Sequence, residues 1–336
     1  MTKKKGNILV VGVGSIGKRH ISNFENLFEN IFICDSRQDR LKETCEKFSI
    51  KESFENYEVA IDKIKNLDVV CICTPPNSHL QIAKIAVKNS INLFIEKPLG
   101  MNVDGWQEIS DECNKKHLLN YVAFCHRHIP YTKKLKDLLM SNTIGKIINS
   151  NMRWGSYLPD WHPYEDYRSF YMSKKDQGGG ALMDESHGLD LMRYLFGEVD
   201  SVYAVVSNYS NLELTSDDCA FLTLKFKDKI LSQINFDLVA RYPRINLEIV
   251  GETGTILWDR IDNSISIFKV DDNKWNKTQF SKEDLMSMYP EQAKYFFNCL
   301  MGNSSALPDI KDAMKTQKII DSSFLSQNTK SEIKIS

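Results

Sequence analysis

The 336-residue chain has no Cys-x-x-Cys pair, no run of 18 apolar residues, no internal repeat, no low-complexity tract and no long run of one charge. Its eight cysteines, Cys34, Cys45, Cys71, Cys73, Cys113, Cys125, Cys219 and Cys299, are too few for a disulfide scaffold. They read as reduced thiols of a cytoplasmic protein. Without a long apolar run nothing spans a bilayer as a helix. Lys and Arg total 43 against 44 Asp and Glu, a formal net charge of -1, so no overall field draws the chain to nucleic acid or an anionic membrane. The opening Met1-Thr-Lys-Lys-Lys-Gly6 before Ile8-Leu-Val-Val11 has the outline of an export signal. The apolar stretch is broken by Gly12 and runs into Lys18-Arg-His20, however, so it reads as a strand.

What is present suits two ordinary globular domains. Residues 7–11, 31–34, 68–73, 91–95 and 119–124 are nearly continuous apolar strands. They alternate with helical stretches over 16–28, 37–48, 78–89 and 103–117, which implies a parallel sheet covered on both faces. Beyond about residue 145 the pattern becomes polar-apolar alternation, in Ala220–Phe226, Ser232–Leu238 and Ser264–Phe268, as in an antiparallel sheet with one solvated face. Helices over 183–196, 290–301 and 310–325 would cover its other side. The domain assignment is 1–125 and 126–336.

Gly12-Val-Gly14-Ser15-Ile16-Gly17 follows a strand and opens a helix, the setting in which glycines let a pyrophosphate approach backbone N–H groups at a helix start. A glycine turn that merely packs is the bland alternative. Asp35 opposes it, because it ends the second strand 18 residues after Gly17, where a carboxylate accepts the adenosine ribose hydroxyls. That carboxylate repels a 2'-phosphate and favours NAD, although Ser36 and Arg37 could bind the phosphate of NADP or stack on adenine.

Cys73-Thr74-Pro75-Pro76-Asn77-Ser-His79 and Phe94-Ile-Glu96-Lys97-Pro98-Leu99 end two later strands, where open α/β sheets place ligands. The prolines stop the strands, so Thr74, Pro75, Asn77, Glu96 and Lys97 are cofactor-side candidates and His79 a cofactor-loop contact. Lys97 is a candidate acid or base, although Glu96-Lys97 alone would read as a solvated ion pair. In Gly178-Gly-Gly-Ala-Leu-Met-Asp184-Glu-Ser-His187-Gly-Leu-Asp190, the last three named residues are spaced three apart and share a helix face. Two carboxylates and an imidazole could ligate a metal, but no further His or Cys cluster supports one, and none is assigned. A helix-start carboxylate beside a satisfied histidine is the plain alternative.

Together these motifs resemble the Gfo/Idh/MocA oxidoreductase family over nearly the whole chain. The resemblance implies an N-terminal Rossmann domain with a doubly wound parallel sheet, and a C-terminal α/β domain with an open, mainly antiparallel sheet that serves dimer or tetramer contacts. It implies oxidation of a hydroxyl, or reduction of a keto carbon, on a sugar, inositol, sugar phosphate or nucleotide sugar with NAD(P), and gives Lys97 and His187 catalytic roles. Asp184 is assigned beside them, although its interval to the histidine is three where many relatives have four. Asp184-Glu-Ser-His187, with Trp161-His162-Pro-Tyr164-Glu-Asp-Tyr-Arg168, looks like a branch associated with bacterial surface-glycan and nonulosonate sugars.

An imidazole is the base best matched to neutral pH for the hydroxyl proton, with the Lys97 ammonium stabilising the developing alkoxide. Residues 154–177 form a long aromatic, turn-rich stretch, of a kind usually functional. Trp161, His162, Tyr164 and Arg168 are assigned there to substrate, as is Arg127 of Cys125-His-Arg127-His. These aromatics could equally fill a core or a subunit contact. Two other functions share the resemblance: redox-assisted glycoside cleavage without net cofactor turnover, and a non-catalytic cofactor-sensing regulator, which the retention of Lys97 and His187 opposes.

Overall fold

The computed structural model describes residues 6–161, 165–302 and 304–335. The chain divides into two compact units, Met1–Cys125 with Tyr289–Lys315, and His126–Met288 with Thr316–Ser336. Among the described residues no helix is long and apolar enough to cross a membrane.

The first unit alternates strand and helix: β1 (Asn7–Val11), α1 (Ser15–Phe24), β2 (Asn30–Cys34), α2 (Gln38–Lys47), β3 (Glu52–Phe54), α3 (Tyr57–Lys63), β4 (Leu67–Ile72), α4 (His79–Lys88), β5 (Asn92–Ile95), α5 (Trp106–Lys115) and β6 (Asn120–Val122). The six strands are parallel, in the order β3-β2-β1-β4-β5-β6. Chain order reverses between β1 and β4, so their carboxyl ends bound the crevice where such sheets seat ligands. Leu9, Val11, Val70 and Ile72 enter one core, and Ile8, Val10, Val69 and Cys71 the other. Burial on both faces is why these strands read as unbroken apolar runs. β3 left no such mark, being three residues long with Glu52 and Ser53 exposed.

The second unit holds α6 (Pro130–Met140), β7 (Ile147–Tyr157), α7 (Ala181–Asp184), α8 (Ser186–Phe196), β8 (Val199–Ser207), β9 (Cys219–Phe226), β10 (Leu231–Asp237), β11 (Val239–Gly251), β12 (Gly254–Asp259), β13 (Ser264–Lys269), β14 (Lys274–Gln279) and α9 (Lys282–Met286). After them come α10 (Met288–Gly302), α11 (Ile310–Thr329) and β15 (Ile333–Lys334). The nine-stranded sheet runs β14-β13-β12-β11-β7-β10-β9-β8-β15, antiparallel except where β10 pairs with β7. One face packs on α8, where a Cβ at Gly188 would stand 2.5 Å from the Phe236 ring.

Element order alone groups all of 126–336 together, but Tyr289–Lys315 belongs to the first unit. The reason is apolar: Ala293, Phe296, Phe297 and Cys299 complete the core of Ile8, Val10 and Phe94, while Ile310, Ala313 and Met314 join the opposite one.

Candidate active site

The glycine turn is built by close approach. Gly12 has φ +91, and a Cβ there would lie 2.7 Å from the Cys73 carbonyl; one at Gly17 would lie 2.0 Å from the Gly12 oxygen. Only bare Cα atoms let the turn fold onto the end of β4. Beside Gly14 the space is open, the nearest group being Arg40 Nη1 at 3.6 Å from a Cβ placed there. α1 then starts with exposed Ser15 and half-buried Ile16, with no side-chain cap and no acidic residue in its first turn. Its uncapped N–H groups and positive end suit an anion.

Asp35, buried at the end of β2, is tied into the turn itself. Its Oδ2 accepts the Val13 N–H and its Oδ1 the Arg37 N–H, both at 2.9 Å. The carboxylate thus shapes the turn it serves. The exposed Arg37 guanidinium pairs with Asp39, its Nε donating at 3.1 Å.

At the end of β4 the Thr74 hydroxyl accepts from Ser78 at 2.6 Å, Pro75 is half-buried and Asn77 exposed. The sequence makes His79 a cofactor-loop contact, but the structure buries its ring completely among carbonyls. Nε2 is 2.8 Å from the Thr74 oxygen, and Nδ1 is 3.2 Å from both the Pro98 and Leu99 oxygens. Burial pulls the His79 pKa down, and the carbonyls and Glu96 pull it only partly back. A neutral ring has one N–H to donate.

Glu96 is not a solvated partner for the neighbouring amine. It is buried, with Oε1 2.6 Å from His20 Nε2 and Oε2 accepting the Lys97 N–H at 3.1 Å. A carboxylate oxygen only accepts, so Nε2 carries the imidazole proton. His20 packs among Phe24, Phe94 and Tyr289, and the Arg19 guanidinium lies over the Tyr289 ring. Burial pushes the Tyr289 hydroxyl above its ordinary pKa. Sequence reading passed over His20, yet a signal existed: Gly17, His20, Ile21 and Phe24 form the buried stripe of α1. Half-buried Lys97 stands two residues past the end of β5.

In the second unit the expectation of one helical face for Asp184, His187 and Asp190 is corrected. The helix breaks at Glu185, where ψ turns to 21, so Asp184 closes α7 and the other two lie on α8. Each has its own partner. Asp184, buried, accepts from the Tyr171 hydroxyl at 2.5 Å. Asp190 takes the Arg127 fork, from Nε at 2.8 Å and Nη2 at 2.6 Å. The guanidinium assigned to a substrate anion therefore has a protein carboxylate before it. The half-buried His187 ring lies 4.7 Å from the His126 ring, itself 4.9 Å from Trp154.

The aromatic stretch is less loop-like than its sequence suggests, because Trp154 and Tyr157 belong to β7 and short 3-10 turns follow. Trp161 donates from Nε1 to the Ser156 hydroxyl at 2.7 Å. Arg168 is exposed and held by Asp166 at 2.9 Å and Glu213 at 3.1 Å. His162 and Tyr164 lie outside the described residues.

Comparison with known proteins matches the chain in two consecutive stretches, and assigns Tyr289–Lys315 to the second although it packs with the first unit. Residues 6–124 match the family described as oxidoreductase family, NAD-binding Rossmann fold, and residues 136–335 the one described as oxidoreductase family, C-terminal alpha/beta domain. The chain is 29% identical over 260 residues to a myo-inositol 2-dehydrogenase of Thermotoga maritima, covering 75% of each chain. It is similar in fold to a levoglucosan dehydrogenase solved with NADH, with TM-score 0.88, 21% identity and coverage of 98% of this chain and 99% of that one. The WlbA dehydrogenase of Bordetella pertussis, solved with NADH and UDP-GlcNAcA, gives TM-score 0.84 at 19% identity, covering 100% and 99%.

Proposed function

This chain belongs to the Gfo/Idh/MocA family of NAD-dependent oxidoreductases, and from that footing we propose that it moves a hydride between NAD and a hydroxyl or keto carbon of a sugar, sugar phosphate or nucleotide sugar, with Lys97 and His187 handling the proton. Bound NAD supplies the hydride chemistry. The uncapped start of α1 and the open side of Gly14 fit a pyrophosphate. Asp35 fits the ribose hydroxyls through lone pairs beyond those taken by Val13 and Arg37. His187 takes the hydroxyl proton, and the Lys97 ammonium stabilises the alkoxide left behind. Asp184, fixed by Tyr171, serves the sugar. The observation that carries the reading is Lys97 at the carboxyl end of β5, its backbone N–H held by a buried Glu96.

The test incubates the protein with NAD or NADP and a panel of polyols, sugars, sugar phosphates and nucleotide sugars, and follows the absorbance of reduced nicotinamide. Reduction with one class is expected, and silence across the panel with both cofactors would end the proposal. Lys97→Ala should keep NADH affinity and lose about 10²-fold or more in turnover. If Lys97 and His187 serve one proton, Lys97→Ala/His187→Ala loses little more than the worse single variant; losses that multiply would separate their roles.

Assembly follows the same family reading. Tyr203, Phe221, Leu231 and Leu257 are between 37% and 49% exposed. Strand register places all four on the sheet face away from α8. We take this face as the contact of a homodimer or homotetramer. Light scattering should give a multimer for the wild type and a smaller species for Phe221→Lys; a wild-type monomer excludes it.

A further inference from the structure

We propose that His20 and His79 are positioning residues for Lys97, two imidazoles that clamp the Glu96–Leu99 turn from opposite ends. His20 stands on α1, the helix that follows the glycine turn, and holds Glu96 Oε1 at 2.6 Å. The same carboxylate takes the Lys97 N–H on Oε2. His79 opens α4, directly after the Thr74 turn, with Nε2 2.8 Å from the Thr74 oxygen and Nδ1 3.2 Å from those of Pro98 and Leu99, so its one N–H binds one side while the ring packs against the other. Lys97 is the residue between the two grips.

Both rings are fully buried, and His20 Nδ1 has no hydrogen-bond partner among the described residues. Burying an unpaired ring nitrogen costs free energy that an apolar side chain would avoid. Leucine would serve a purely packing role among Phe24, Phe94 and Tyr289 better than histidine does. What only the imidazole provides is a donor aimed at Glu96. The helices bearing the two rings follow the two turns assigned to the dinucleotide, so the elements that seat the cofactor also fix the amine. The role in catalysis rests on the reading of Lys97 as the proton-handling amine, whereas the clamp itself rests on the hydrogen bonds.

The test reads the place of the lysine rather than turnover. Lysines are reductively methylated with 13C-formaldehyde in the whole protein, and the Lys97 signal is identified by its loss in Lys97→Arg. His20→Leu and His79→Leu should each shift and broaden that signal. Lys225, exposed and paired with Glu332, should stay in place. His20→Gln, which carries a donor at similar reach, should restore the wild-type position. An unmoved Lys97 signal in both leucine variants, or equal movement of all lysines, overturns the clamp. If the leucine variants do not fold, Glu96→Gln must move the same signal, because one of its two acceptor oxygens becomes a donor; no movement again overturns it. Because turnover is not read, this outcome is independent of whether Lys97→Ala abolishes the reaction.

Discussion

Asp35 shows how one carboxylate can carry two duties at the residue scale. In the proposed function its charge opposes a 2'-phosphate, while its oxygens hold the Val13 and Arg37 N–H groups. The two duties separate by substitution. Asp35→Asn keeps an acceptor for Val13 but loses the charge and sets an NH2 against the Arg37 N–H, so the ratio of NAD to NADP affinity should fall with a smaller drop in melting temperature than in Asp35→Ala. Asp35→Ala should lower the same ratio and also destabilise by about 1–3 kcal/mol, since a buried N–H loses its partner. Titration of each cofactor and thermal unfolding check both; an unchanged ratio would mean that the carboxylate does not face the ribose.

A second residue gives a pH dependence. Burial pushes the half-buried Asp217 carboxyl up to about 6, against the backbone N–H of Leu182 that it accepts. The folded protein thus keeps this proton to a higher pH than the unfolded chain does. The resulting stabilisation is complete below the ordinary carboxylate value of 3.8 and is lost as pH rises through about 6. Asp217→Asn does not titrate, so its stability relative to wild type should improve by on the order of 2 kcal/mol between about pH 4 and pH 8. Denaturant midpoints at the two pH values test this, and a constant difference would refute it.

At the scale of elements, strands and helices of the first unit were legible where burial covers both faces, and illegible where an element is short and wet, as in β3. The break between α7 and α8 was not legible. Ala-Leu-Met-Asp-Glu-Ser-His has no proline and no glycine to mark a stop, so spacing alone put Asp184 and His187 on one face. The structure divides them at Glu185 and gives Asp184 the Tyr171 hydroxyl. Tyr171 lies 13 residues away, a pairing no local pattern encodes. His20 is the opposite case, since its place in the α1 stripe was readable although its partner 76 positions later was not.

For the whole molecule the return of Tyr289–Lys315 to the first unit matters most. Phe296 is fully buried beside Phe94 and Tyr121, with ring centroids 5.1 and 5.9 Å away. Phe296→Ala should therefore destabilise the first unit by about 3–5 kcal/mol. NADH should protect this variant against unfolding more weakly at equal concentration if the loosened core reaches the dinucleotide turns. Calorimetry with and without NADH measures both, and a wild-type melting temperature would show that the segment is dispensable.

The sequence by itself determined the parallel sheet, the glycine turn, the carboxylate at the end of β2 and the Lys97 strand end, because each depends on local periodicity or on what a glycine or proline permits. Only the tertiary structure decided the partners. Glu96 went to His20 and Arg127 to Asp190, and the His79 ring lies among three backbone carbonyls, because buried donors and acceptors meet whatever the packing brings within about 3 Å, however far away it lies in the chain.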